Sequence, residues 1–175
     1  MDEIIIVDYN PFWVKQFEAE SAKIWQALSS EIARIEHFGS TAVPGLAAKP
    51  VIDLLVGVHS LKQSQSRIPL LEALGYVYWQ ENPHPERMFF VKGMPPDGLQ
   101  STHHLHIVEA DSNLWERLRF RDYLQSHPEE LQRYTALKRE LAKKFRTDRE
   151  AYTHAKSDYI QAVTAKAQQT NTKYN

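Results

Sequence analysis

The sequence predicts a single α+β domain, in which helices flank a mixed β-sheet of about five strands and form the C-terminal third. The apolar run PVIDLLVGV is short and rich in β-branched residues, which is typical of a strand buried on both faces. Apolar residues at helical spacing precede this run and dominate from Asn113 onward. The chain length fits one domain, so we assign residues 1–168 to it and residues 169–175 to a polar tail.

The N-terminal half begins with elements that have clear local signals. Residues 4–7 are expected to form either a short strand or an arm leading into the first helix. Asn10 and Pro11 make a typical helix start, and the amphipathic pattern that follows ends near Ser29. Strands are then predicted at 33–38 and 50–58.

The rest of the chain predicts three more strands and several helices. A helix is expected over 66–74, because Gly75 supplies a stop, and strands are expected at 76–79, 88–92 and 103–108. The clearest amphipathic stripe runs from Leu131 to Phe145, and one last helix is predicted over 149–166.

Composition excludes several classes of function. The formal net charge is −1, so bulk charge does not draw the chain to nucleic acid or to an anionic membrane. Cysteine is absent, which excludes disulfides, thiolate nucleophiles and Cys-ligated zinc. The acidic N-terminus does not resemble a signal peptide, and no window suits a membrane span. A soluble cytoplasmic protein is the expectation.

The segment EHFGSTAVPGLAAKPVIDLLV carries the first candidate site. Gly39 and Ser40 directly follow a predicted strand, where glycine allows close backbone approach and a hydroxyl with free amides can bind phosphate, with Thr41 beside them. An ordinary turn is the alternative. Asp53 lies within a buried strand, where an unpaired charge costs several kcal/mol, so we expect it to bind a metal or to pair with a buried base.

The strand STHHLHIVE supplies candidate metal ligands. His104 and His106 fall on the same face of the strand, and with Asp53 they would form a set of two imidazoles and one carboxylate. Hydrogen bonding within the sheet is an equally open role for these histidines, and one of them is a candidate general base.

Basic residues near these strands are candidates for binding phosphate charge, namely Lys49 and Arg87. A basic run from Lys138 to Arg149 is interpreted mainly as a solvated helix face, because acidic residues alternate with it. Contact with RNA is the minority hypothesis for this run, and it predicts binding that weakens steeply with salt.

The long first motif, together with LGYVYW, ERMFFVK, HHLHIVE and LRFRDYLQSHPEELQRYTALKRELA, resembles the GrpB-like family of the nucleotidyltransferase-fold superfamily over roughly residues 8–163. The resemblance implies a nucleotidyltransferase-like sheet, in which Gly39 and Ser40 match the phosphate-binding Gly-Ser step. Asp53 matches the first metal-binding carboxylate of an Asp-x-Asp pair. Leu55 stands where the second carboxylate would be, so two-metal chemistry does not follow from these residues.

Two main hypotheses of function remain open at this level. One is a metal-dependent nucleotidyl or phosphoryl transferase acting on an unknown acceptor, with Asp53 as the catalytic residue and Mg, Mn or Zn as cofactor. The other is a non-catalytic module that binds or senses a nucleotide, a coenzyme-A-type ligand or another phosphorylated small molecule. Metal-assisted hydrolysis at a His/Asp centre is a weaker third possibility.

Overall fold

A five-stranded mixed sheet forms the centre of the structure, which is a computed structural model that describes residues 3–95 and 98–171. Its strand order is β1-β2-β5-β4-β3, and only β2 and β5 run parallel to each other. The strands are β1 (Ile32–Phe38), β2 (Ile52–Val58), β3 (Tyr76–Tyr78), β4 (Arg87–Lys92) and β5 (His103–Glu109). The predicted α+β class and mixed sheet are confirmed.

Helices cover both faces of the sheet and make up the C-terminal part of the described chain. They are α1 (Phe12–Leu28), α2 (Leu61–Ser64), α3 (Ile68–Glu72), α4 (Arg117–Ser126), α5 (Pro128–Lys144), α6 (Arg149–Ala155) and α7 (Ser157–Asn171). Short 3-10 helices lie at Ser29–Glu31, Ser40–Ala42, Gln65–Arg67 and Asn113–Glu116.

Two helix predictions are wrong in detail. The helix expected over 66–74 is a broken segment, in which α2, a 3-10 turn and α3 follow one another. The single last helix expected over 149–166 is interrupted at Lys156, whose N–H turns back to the carbonyl of His154 and closes α6. The second half continues as α7 to Asn171, into the expected polar tail, and residues 172–175 lie outside the described residues.

Strand alternation gives the sheet one mainly apolar face and one mixed face. Ile52, Leu54 and Val56 pack into the main core, together with residues of α1, α3, β4 and β5. Leu55 lies on the opposite face with Phe38 and Val108, covered by the 3-10 helix at Asn113–Glu116 and by the start of α4. Asp53 shares this second face by its position in the strand, so the mixed face carries the candidate site.

The first residues form an arm rather than a strand. Val7 makes a single antiparallel bridge with Ala48, and the Ile4 N–H donates to the carbonyl of Arg146 at 2.8 Å. Ile4 is buried beside Leu141 and Tyr152. The arm therefore fastens the segment before β2 to the C-terminal helices, and this contact brings residues from α6 next to Lys49.

Candidate functional site

The loop after β1 packs its first residue directly onto Asp53. Phe38 pairs with Asp53 across the antiparallel strands, and Gly39 follows with a φ of +77°. A β-carbon on residue 39 would lie 2.9 Å from Cγ of Asp53 and 3.0 Å from its Cβ, closer than real side chains approach. Only glycine therefore fits here, and the backbone of the Gly39–Ser40 step borders the carboxylate.

Asp53 is hydrogen-bonded to His104 on the neighbouring parallel strand. The two residues are register partners, and Nδ1 of His104 donates to Oδ1 of Asp53 over 3.1 Å. Burial alone would raise the pKa of Asp53, but the hydrogen bond from His104 and the charge of Lys49 hold that pKa below its usual value. The side chains of Asp53 and His104 are 24% and 19% exposed, so the pair is partly accessible to solvent.

Ser40 contacts the C-terminal helices rather than the strand. Burial raises the pKa of the Tyr134 phenol on α5, and the nearby side chain of Ser40 acts in the opposite direction. Tyr134 is only 3% exposed. Ser40 itself stays half-buried, so its hydroxyl lies between the helix layer and the cleft.

Thr41 does not take the phosphate-binding position that the sequence suggested. Its side chain is buried, and its hydroxyl donates to the carbonyl of Val51 at 3.0 Å. The same oxygen lies 3.0 Å from Nε2 of His37 and accepts a hydrogen bond from it. Burial lowers the pKa of His37 to about 4, which keeps the ring neutral at physiological pH. Thr41 therefore ties the loop to β2, and its hydrogen-bonding capacity is used by the protein itself.

Two lysines converge on the ring of Tyr152, next to Asp53. The ammonium of Lys156 lies 4.0 Å from the ring centroid and that of Lys49 lies 5.7 Å from it. Burial and the charge of Lys49 lower the pKa of Lys156 to about 8, although Asp53 acts in the opposite direction. Burial and the charge of Arg149 likewise lower the pKa of Lys49. The two ammonium groups and the guanidinium of Arg149 thus form a compact cationic cluster.

None of these three cations forms an ion pair with a carboxylate in residues 3–95 and 98–171. Lys49 and Arg149 also line a cleft of about 110 Å³ that reaches the N-terminal arm at Ile4. Like charges held together are costly, and Asp53 offsets that cost only in part, because the pKa of both lysines stays lowered. An anionic ligand would offset more of it. We did not predict Lys156 from sequence, and we had assigned Arg149 to a solvated run. Their partner Lys49 lies far from them in the chain, so no local pattern marks the cluster.

His106 and Arg87 lie farther along the mixed face. His106 is 8% exposed, and its ring packs against Phe38 and Phe89 with centroid distances of 5.1 Å and 4.7 Å. Nη1 of Arg87 donates to Nδ1 of His106 over 3.4 Å, and burial lowers the pKa of His106 to about 3. Arg87 pairs in register with Val108, at the opposite end of β5 from His104, so it does not join the Gly39–Ser40 loop.

The expected metal ligands are neighbours, but they do not form a metal-binding set in this arrangement. No group of three or more Asp, Glu or His side chains in the described parts of the chain has suitable geometry. His104 donates to Asp53, and the ring nitrogen of His106 that carries a lone pair accepts from Arg87.

Leu55, at the position of the second carboxylate, is fully buried against Phe38 and Val108. Binding of Mg, Mn or Zn here remains a prediction.

The geometry supports two chemical capacities. The Gly39–Ser40 backbone, the unpaired lysines and Arg149 can bind an oxyanion through amides, a hydroxyl and positive charge. Because Asp53 fixes Nδ1–H of His104, the other ring nitrogen of a neutral His104 is free to accept a proton. A carboxylate-oriented imidazole of this kind is a recurrent general base. Among the described residues no helix is both long and apolar enough to cross a membrane.

Comparison with known proteins gives consistent relatives. A family profile described as GrpB protein matches residues 3–166. A UPF0157 protein of Pseudomonas aeruginosa is 44% identical over 169 residues, which cover 95% of this chain and 68% of that protein. The glutamate-rich protein GrpB of Alkalihalophilus pseudofirmus is 34% identical over 92% of this chain and 94% of its own length.

A solved structure shares the whole architecture. The crystal structure of the conserved protein GrpB from Enterococcus faecalis superposes with a TM-score of 0.86 at 35% identity, covering 95% of this chain and 99% of the other. Fold, profile match and sequence identity therefore agree over nearly the full chain. This protein belongs to the GrpB family.

Proposed function

We propose that the protein binds a phosphorylated small molecule of the nucleotide class at the cationic cluster of Lys49, Arg149 and Lys156, where both lysines interact electrostatically with Asp53. The observation that carries the proposal is that these three cations form no ion pair with a carboxylate of the described residues, although both lysines lie at Tyr152 and interact electrostatically with Asp53, which Gly39 contacts. Coenzyme-A-type ligands share the same phosphate chemistry and belong to the same proposal.

The two ends of the site favour different parts of such a ligand. Lysine ammonium groups act as point charges and tolerate several phosphate orientations, so they suit a mobile or extended phosphate chain. The backbone beside Gly39 and the Ser40 hydroxyl offer directed hydrogen bonds closer to the carboxylate. Asp53 repels phosphate oxygens but accepts from hydroxyl or amino groups, and it therefore sets the orientation of the ligand.

A second candidate function is transfer chemistry at the same site. The Asp53–His104 hydrogen bond, with both side chains partly exposed, favours removal of a proton from an acceptor hydroxyl by His104. The metal-dependent nucleotidyl or phosphoryl transfer expected from the resemblance is the specific form to test. The experiments below therefore compare each ligand with and without divalent metal.

Calorimetric titration and thermal shift with ATP, AMP, coenzyme A and inorganic phosphate, each with and without Mg, Mn or Zn, test the binding proposal. We expect the double variant Lys49→Met/Lys156→Met to weaken binding at least tenfold. Lys143→Met/Lys144→Met removes the same charge from exposed positions on α5 and should change binding less than twofold.

An equal loss in both double variants would mean diffuse electrostatic attraction and would overturn the site, as would the absence of binding by any of these ligands. Turnover of labelled ATP separates the two functions. Turnover that Asp53→Asn and His104→Gln abolish, while binding persists, supports the enzyme. Binding without turnover supports the non-catalytic module.

A further inference from the structure

A second cleft, of about 600 Å³, lies on the other side of His106, where β5 ends and β4 begins. Arg87 and Arg117 line it, together with the carboxylates of Glu86, Glu109 and Asp111. Its volume lies within the range of small-molecule sites, and its charged groups have both signs. The Asp53 site lies at the opposite end of β5, because Asp53 pairs with His104 whereas Arg87 pairs with Val108.

The two arginines lack the partners that such groups usually have. Arg117 forms no ion pair with any carboxylate of the described residues, and the only side-chain hydrogen bond of Arg87 is the 3.4 Å contact with neutral His106. Nε of Arg87 is buried without a hydrogen-bond partner in those residues. Both guanidinium groups line the same cleft, and burial together with the charge of Arg117 lowers the pKa of Arg87.

The carboxylates of the cleft do not neutralise this pair by direct contact. Oε1 of Glu109 accepts from the backbone N–H of Leu61 at 3.3 Å, and Glu86 lies 3.3 Å from Nδ1 of the exposed His84. Glu86 acts on Arg87 and Arg117 only through longer-range attraction. Asp111 is exposed at the start of the turn after β5. Positive and negative groups therefore line the same cleft without pairing.

We propose that this cleft binds a small zwitterion, whose carboxylate or phosphate contacts Arg87 and Arg117 while its amino group faces Glu86, Glu109 and Asp111. Guanidinium forks match the planar geometry of an oxyanion, and the three carboxylates match a single cation. The same carboxylates repel a polyphosphate chain, so nucleoside triphosphates are excluded from this cleft. Amino acids and aminoalkyl phosphates are the two classes of small molecule that carry both an anionic group and an amino group.

The test is calorimetric titration of the full chain with each of the twenty proteinogenic amino acids, with O-phosphoethanolamine and with ATP. We expect at least one zwitterion to bind, and Arg117→Gln and Arg87→Gln each to weaken that binding at least tenfold. Arg119→Gln is the matched control, because Arg119 lies on the same helix and is already paired with Glu116. Its affinity should stay within twofold of the wild type.

Several results would overturn the proposal: no binding of any zwitterion, an equal loss in Arg119→Gln, or displacement of the bound zwitterion by ATP. Arg117 is exposed, so we expect Arg117→Gln to retain the fold. Far-UV circular dichroism checks this expectation. The Lys49→Met/Lys156→Met protein should keep zwitterion binding unchanged. This comparison separates the second cleft from the proposed nucleotide site. If the protein bound no nucleotide, the result of the zwitterion titration would still stand.

Discussion

Gly39 lies so close to Asp53 that a β-carbon on the glycine would stand 2.9 Å from the aspartate Cγ. Gly45, six residues later, has a similar positive φ of +83°, but beyond its two chain neighbours no atom of the described residues lies within 4 Å of such a carbon. The two glycines of one loop therefore separate two requirements. Both need an unusual backbone conformation, and only Gly39 also needs space beside the carboxylate.

We expect Gly39→Ala to lower the free energy of unfolding by about 3 kcal/mol and to displace Asp53, because backbone strain and overpacking add at this position. Gly45→Ala should cost about 1 kcal/mol, since only the strain applies. Urea denaturation measures both values. Equal losses would show that contact with Asp53 does not constrain residue 39.

Thr41 and Ser40 should respond to substitution in opposite ways. Thr41→Val removes the hydroxyl that joins His37 to the Val51 carbonyl, so we expect a stability loss of about 1–3 kcal/mol. The affinity of the Thr41→Val variant for nucleotide should equal that of the wild type. Ser40→Ala should instead weaken binding severalfold at a smaller cost in stability. Urea unfolding and calorimetry on both variants check this, and a binding defect confined to Thr41→Val would contradict it.

Anion binding at the cationic cluster should weaken as pH rises through about 8. The pKa of Lys156 is lowered to about 8, so the lysine is charged below that pH and loses its charge above it. An exposed lysine, with a pKa near 10.4, would lose its charge about two units higher. Titration of ATP at constant ionic strength between pH 7 and 9.5 measures the effect. Lys156→Met should bind more weakly at pH 7 and lack the decline near pH 8.

Stability should fall as pH drops below about 6.5, because buried histidines stay neutral in the folded state. The pKa of His106 is lowered to about 3 and that of His37 to about 4, so the unfolded chain binds protons first. Their contribution is complete above the unfolded pKa of about 6.5 and decreases by about 1.4 kcal/mol per pH unit for each histidine as pH falls toward the folded values.

Urea unfolding at pH 7, 6 and 5 tests this dependence. His106→Gln should show a shallower loss of stability than the wild type between pH 7 and pH 5. Asp53 adds its own acid sensitivity only below about pH 4, because its pKa is lowered from an already acidic value. A His106→Gln slope equal to that of the wild type would contradict the prediction.

Local patterns were sufficient for most of the secondary structure. The β-branched apolar run around Asp53 and the strand at His104 can be recognised from short stretches of sequence, without reference to the rest of the chain. The break of the last helix at Lys156 was missed because no proline or glycine marks it, and the turn depends on how α6 and α7 pack. The structural role of Thr41 was not predicted, because its partner, the carbonyl of Val51, is a backbone group that side-chain patterns do not reveal.

The sequence by itself determined which side chains share a face of each strand, because side-chain direction alternates from one residue to the next. It thereby placed Asp53 on one face of β2, and His104 with His106 on one face of β5. Only the tertiary structure decided that β2 and β5 pair in parallel with Asp53 opposite His104, and that Lys156 comes to lie beside Lys49. Register and helix docking depend on packing between distant segments, so the cationic cluster and the second cleft exist only in the folded chain.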